Sequence, residues 1–213
     1  MLTLQQAVDA SRQSKLVQGL LSAYPNAKAT ARSEERGGKQ IWLIGWWTQA
    51  RISSGLPYPD VIVYVDAYSG QILWDEKPKS GDYFEKPIFC DISASSADVD
   101  INKGEKTTID VALSPVSPGT TVLIEYSSDG KHWDELAEGT TNAGGQYSHV
   151  WSPPVGTYYV RASWITENVG GMSSTLMITA VPEFRDVALA LAVVLGVVVL
   201  AHRQHNSSQV PFK

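Results

Sequence analysis

The imidazole and thiol groups that nucleophile–base pairs and zinc sites draw on come from five residues here: Cys90, His132, His149, His202 and His205. None lies within residues 1–80, so that segment offers neither an activated nucleophile nor a zinc set. Cys90 sits in the apolar run "PIFCDIS", which reads as a small buried side chain rather than a reactive thiol. As the lone cysteine it forms no intrachain disulfide. His132 and His149 fall on different expected strands with no paired carboxylate motif near either, and both read as surface residues. His202 and His205 are spaced to share a helix face, yet a polar flank next to an apolar run explains them without metal. In "DVDINKGE" the alternation of Asp98, Asp100 and Asn102 invites calcium. The glycine comes one position late for an EF-hand, and Ile109 stands where the bidentate glutamate belongs. These patterns point to no enzymatic activity, no metal site and no cofactor.

A binding role is suggested instead by aromatic residues. Trp42, Trp46, Trp47, Tyr58, Tyr64, Tyr68 and Trp74 crowd one short stretch and form the candidate binding set. A sheet covered on one face by two short helices leaves some of these rings on its other face. Core packing is the competing explanation for the same rings.

The formal net charge of −5 is unevenly placed. Residues 1–79 carry nine Lys/Arg against seven Asp/Glu, and residues 80–181 carry five against thirteen. So acidic a middle segment excludes nucleic acid as its partner.

Thr3 and Gln6 are spaced as a capping box that opens a helix with Leu4, Ala7 and Val8 on one face. Ser14 caps a second, carrying Leu16, Val17, Leu20 and Leu21, which Pro25 stops. Two strands joined at Gly37-Gly38 follow, then a loop with Pro57 and Pro59, then a hairpin turning at Ala67–Gly70. This predicts a small α+β domain over residues 1–76, with two helices on an antiparallel sheet. Its residues "LTLQQAV", "LVQGLLSAYPNAKA", "IWLIGWW" and "VIVYVDAYSGQIL" resemble a PepSY domain across positions 2–76. The stretch Val65–Leu73 is similar to that family's closing V-D-x-x-T-G-x-I-L hairpin, with Ser69 for the usual threonine. The resemblance implies a binding module, or a regulator or inhibitor of a secreted peptidase, or one part of a larger secreted protein.

Residues 77–86, within the stretch "DEKPKSGDYFEKP", read as a linker. Short runs then recur: 88–93, 107–113, 121–127, 132–137, 145–151, 156–164 and 173–179. Seven strands with turn signals between them predict an all-β sandwich over residues 87–181. In "TIDVAL", Ile109, Val111 and Leu113 alternate inward. "VLIEYSSDGKHW" and "WSPPVGTYYVRASW" resemble bacterial and archaeal immunoglobulin-like domains, and imply for Tyr158 the role of a corner tyrosine bonded back across the sheet end.

Residues 182–213 complete the chain. Val187–Ala201 carries no charge and predicts a single transmembrane helix, although fifteen residues span only about 22 Å against a hydrocarbon core of about 30 Å. Snorkelling by Arg203 or local thinning meets the difference. Pro182, Glu183 and Phe184 before this run resemble an archaeal PEF-type sorting signal, with Arg185 where relatives carry Pro or Gly. Arg203 and Lys213 place the C-terminus inside and the preceding domains outside. The start "MLTLQQAVDASRQSK" lacks the basic and apolar regions of a signal peptide. The expected protein is non-enzymatic and membrane-anchored at the cell surface, with a protein or surface polymer as partner and a peptidase as the alternative partner.

Overall fold

The computed structural model describes residues 1–182 except Asp82, Glu85, Lys86 and the side chain of Asn102. Helix α1 (Leu4–Ser11) opens on the reciprocal capping box of Thr3 and Gln6, and α2 (Lys15–Ala23) on the Ser14 hydroxyl, which accepts from the Leu16 and Val17 amides. Strands β1 (Lys28–Arg36) and β2 (Lys39–Trp47) pair over their full length. A short helix α3 (Gln49–Ser53) fills the loop before β3 (Val61–Asp66) and β4 (Ile72–Glu76).

The second half contributes β5 (Phe89–Ala94), β6 (Asp98–Asp100), β7 (Thr107–Ser114), β8 (Thr121–Ser127) and β9 (Asp134–Thr140). It continues with β10 (Gln146–Trp151), β11 (Gly156–Ile165), β12 (Val169–Met172) and β13 (Leu176–Val181). Strands β10-β7-β5 form a three-stranded sheet facing β8, β11 and β13 across a core of Ile109, Val111, Val122, Ile124, Val160 and Ile178. Tyr158 packs through its ring, edge-on to Trp151 at 5.3 Å and to Tyr126 at 6.0 Å.

The expected fold class, a small α+β unit beside a separate all-β sandwich, does not hold. The protein is mostly β, with three helices among the described residues. One ten-stranded sheet runs through both halves in the order β4-β3-β2-β1-β12-β11-β13-β6, with β8 and β9 branching from β11. The junction is β11, whose first residues pair with β13 and whose last residues pair with β12. Strand β12 then lies antiparallel along β1, from Ala29 opposite Met172 to Arg32 opposite Val169. Its sequence, Val-Gly-Gly-Met, lacks the β-branched alternation that marks a strand. The glycine is there for close approach: a Cβ on Gly170 would stand 2.1 Å from Leu4 Cδ1 and 2.6 Å from the Trp164 carbonyl oxygen. No described helix is long and apolar enough to cross a membrane, and the run 187–201 lies outside the described residues.

Two apolar layers flank the first part of the long sheet. Helices α1 and α2 cover Trp42, Ile44, Trp46, Val61, Val63 and Val65, with Met172 joining from β12. The opposite face (Ile41, Leu43, Trp47, Ile62 and Tyr64) is covered by Phe84 of the linker, Phe89 and Ile52. Phe84 reaches it because Gly45 has no side chain; a Cβ there would meet the Phe84 ring at 2.5 Å.

Candidate functional site

The linker covers only part of that second face. Beyond Phe84, towards the end strand β4, the sheet carries an open groove of about 340 Å³ lined by Ile41, Tyr64, Leu73, Trp74, Arg36, Lys39 and Glu76. Ile41 and Tyr64 form the floor because β2 and β3 present alternate residues to each face. Tyr64 lies opposite Trp74 in the β3–β4 ladder, while Val65 lies opposite Ile72, so Leu73 is an extra residue in β4. That bulge suspends the alternation, and Leu73 and Trp74, neighbours in sequence, both line the groove. Trp74 is 62% exposed.

The charged rim comes from the β1–β2 hairpin. Arg36 pairs with Lys39 across Gly37-Gly38, so both side chains lie on one face. The Arg36 guanidinium stands 5.1 Å from the centre of the Tyr64 ring and makes a 3.0 Å ion pair with Glu34. At the other end Glu76 accepts a 3.2 Å hydrogen bond from the Tyr64 hydroxyl. Burial pushes that phenol above its ordinary range; Glu76 adds to the shift and Arg36 opposes it. The groove therefore offers an apolar, aromatic surface with cations at one end and a committed carboxylate at the other.

The structure sorts the seven aromatic candidates. Trp42, Trp46 and Trp47 are buried, and their indole N–H groups donate to the Leu2 carbonyl, the Ser11 hydroxyl and the Thr30 hydroxyl. Tyr64 is buried but forms the groove floor, and Trp74 forms its wall. Tyr58 is half-buried under Arg51, which is held by Asp60 at 3.0 Å. Tyr68, 70% exposed, projects from the β3–β4 turn. Ile41, Leu73, Arg36, Lys39 and Glu76 were absent from the sequence-level set. The Arg-Gly-Gly-Lys hairpin was the one available signal, since residues flanking a two-residue turn face the same side. Of the sorting motif, Pro182 is exposed, and Glu183 and Phe184 lie outside the described residues.

A second cleft, about 430 Å³, lies where α1 and α2 meet the sandwich, between Asp9, Arg12, Trp133, Tyr159 and Met177. Arg12 stands over Trp46 at 5.0 Å and reaches Asp9 at 3.5 Å. Burial lowers its pKa from the ordinary value; Asp9 works against the shift and the nearby Arg161 charge adds to it.

The described histidines, His132 and His149, and the cysteine stay apart, and His202 and His205 lie outside the described residues. His132 is exposed and held by Asp129 at 2.7 Å on the β8–β9 turn, whereas His149 lies on β10 in the other sheet. Cys90 is fully buried, and desolvation pushes its thiol up to about 12. Among the described residues no three His, Cys, Asp or Glu side chains gather as a metal site would require. A scan against family models and a search of curated proteins both find no match to this chain.

Proposed function

We propose that this is a non-enzymatic binding protein of the cell surface, held at the membrane by its apolar C-terminal segment and presenting the groove at Trp74 to a protein or surface polymer. One observation carries the binding part: a large aromatic ring stands 62% exposed beside an open apolar groove, on a sheet whose other strand tryptophans, Trp42, Trp46, Trp47 and Trp164, are buried. An apolar concavity with a few charged groups at its ends is the ordinary form of a ligand site. The resemblance of residues 2–76 to PepSY modules agrees with such a role. The uncharged run 187–201, with Arg203 and Lys213 beyond it, supports attachment with the preceding residues outside.

The test uses the full-length protein on intact cells, with a benzophenone amino acid at position 74. Irradiation is expected to give a discrete adduct, and protease added outside is expected to digest residues 1–182. No adduct from position 74, or complete protection from the protease, would overturn the proposal.

A further inference from the structure

Resting on the groove as the binding site, we infer that its ligand is an extended peptide presenting an apolar side chain and, two residues away on the same face, a carboxylate. The groove floor favours an apolar group over a sugar. Ile41 and Leu73 are aliphatic and offer no hydrogen-bonding group, and the floor hydroxyl of Tyr64 is already given to Glu76. A volume of about 340 Å³ is at the small end of ligand pockets, a size suited to one or two side chains.

The charges decide the flanking group. Arg36 is shared between Glu34 and the Tyr64 ring, and Glu76 is committed to the Tyr64 hydroxyl. Lys39 makes no close ion pair among the described residues; its charge is felt by Asp66, but that carboxylate is engaged by the Tyr68 and Ser69 amides. The unspent charge at the groove is therefore a cation, in a chain whose net charge is −5. A carboxylate is its complement.

Position favours a chain in extended form. Strand β4 ends the ten-stranded sheet, so beside the groove its outer backbone edge has no strand neighbour among the described residues. A peptide lying along that edge places alternate side chains on the groove face, roughly 7 Å apart. The bulge at Leu73 limits regular pairing to Trp74–Glu76, so side-chain contacts supply most of the selectivity.

The test measures binding of the full-length protein in detergent to an array of labelled hexapeptides. Each has one apolar residue with Asp, Lys or Ser two positions to either side, so that both groups share the groove face. The Asp series is expected to bind about tenfold or more tighter than the Lys series, a gap that salt narrows. Lys39→Glu is expected to reverse that order, and Trp74→Ala to abolish binding of both series without lowering the melting temperature. Equal binding of the Asp and Lys series, no binding above the Ser series, or an unchanged order in Lys39→Glu would overturn the inference. A position-74 adduct on cells that proves to be polysaccharide would also overturn it, while leaving the binding role intact. The absence of any adduct would remove both.

Discussion

Arg161 of β11 holds Asp9 of α1: its Nη1 donates to the two carboxylate oxygens at 2.7 and 2.9 Å, 152 residues away in sequence. The same guanidinium donates from Nε to Glu125 at 2.9 Å and lies 3.9 Å from the centre of the Trp133 ring. Its side chain is 2% exposed, so desolvation is offset only because two carboxylates and an aromatic face surround it. Lys28 of β1 makes a second ion pair across the junction, with Asp91 of β5. The two halves share hydrogen bonds, charge and sheet.

Arg161→Ala leaves Glu125 without a cation in a largely dry site, while Asp9 keeps only the longer contact with Arg12. The expected loss is about 3 kcal/mol in a urea titration. Asp9→Asn, whose partner carboxylate site is partly exposed, is expected to cost less than half as much.

Because β12 completes β1, unfolding is expected to be one transition. Tryptophan fluorescence and far-ultraviolet circular dichroism should coincide in urea, as they do for a single cooperative unit. Gly170→Ala should lower the midpoint by the equivalent of about 2–3 kcal/mol. Adding Leu4→Ala should not restore it, because that change opens a cavity in the core and the Trp164 carbonyl still blocks the new methyl group. Two separated transitions in the parent protein would show the halves to be independent.

Phe84 is the linker residue that covers the second face, edge-on to Trp47 at 6.0 Å. Phe84→Ala is expected to cost about 3 kcal/mol, the usual range for a buried ring. It should also extend the groove towards Trp47, raising the binding of an apolar fluorescent dye.

Two titrations have opposite signs. Cys90 has its folded pKa raised to about 12, so its contribution to stability is complete below its ordinary value near 9 and is lost as pH climbs between the two. A thiol reagent at pH 8 should leave Cys90 untouched until denaturant is added. Asp66 has its folded pKa lowered, chiefly by the Ser69 amide and then the Tyr68 amide, both of which donate to it. Its contribution is present above the ordinary carboxylate range and is lost as pH falls through the lowered value. Asp66→Ala should therefore destabilise the protein at pH 7, by an amount that shrinks as the pH falls below the ordinary carboxylate range.

What the chain determines locally is legible in its residues. Thr3 with Gln6, and Ser14, start their helices because a hydroxyl there satisfies amides within three residues. Gly37-Gly38 turns β1 into β2, and Ile109, Val111 and Leu113 point inward because alternation is a property of one strand. Tertiary structure alone decided the rest, since each remaining feature depends on a partner far along the chain. Val169–Met172 is a strand because β1 and β11 offer it two edges, not because of its own propensities. Trp47 is core because Phe84 and Phe89 arrive over it, and Trp74 is exposed because no described segment covers the end of the sheet beyond them. A tryptophan's local sequence carries no record of which distant chain covers its ring, and that coverage is what separates a core residue from a groove wall.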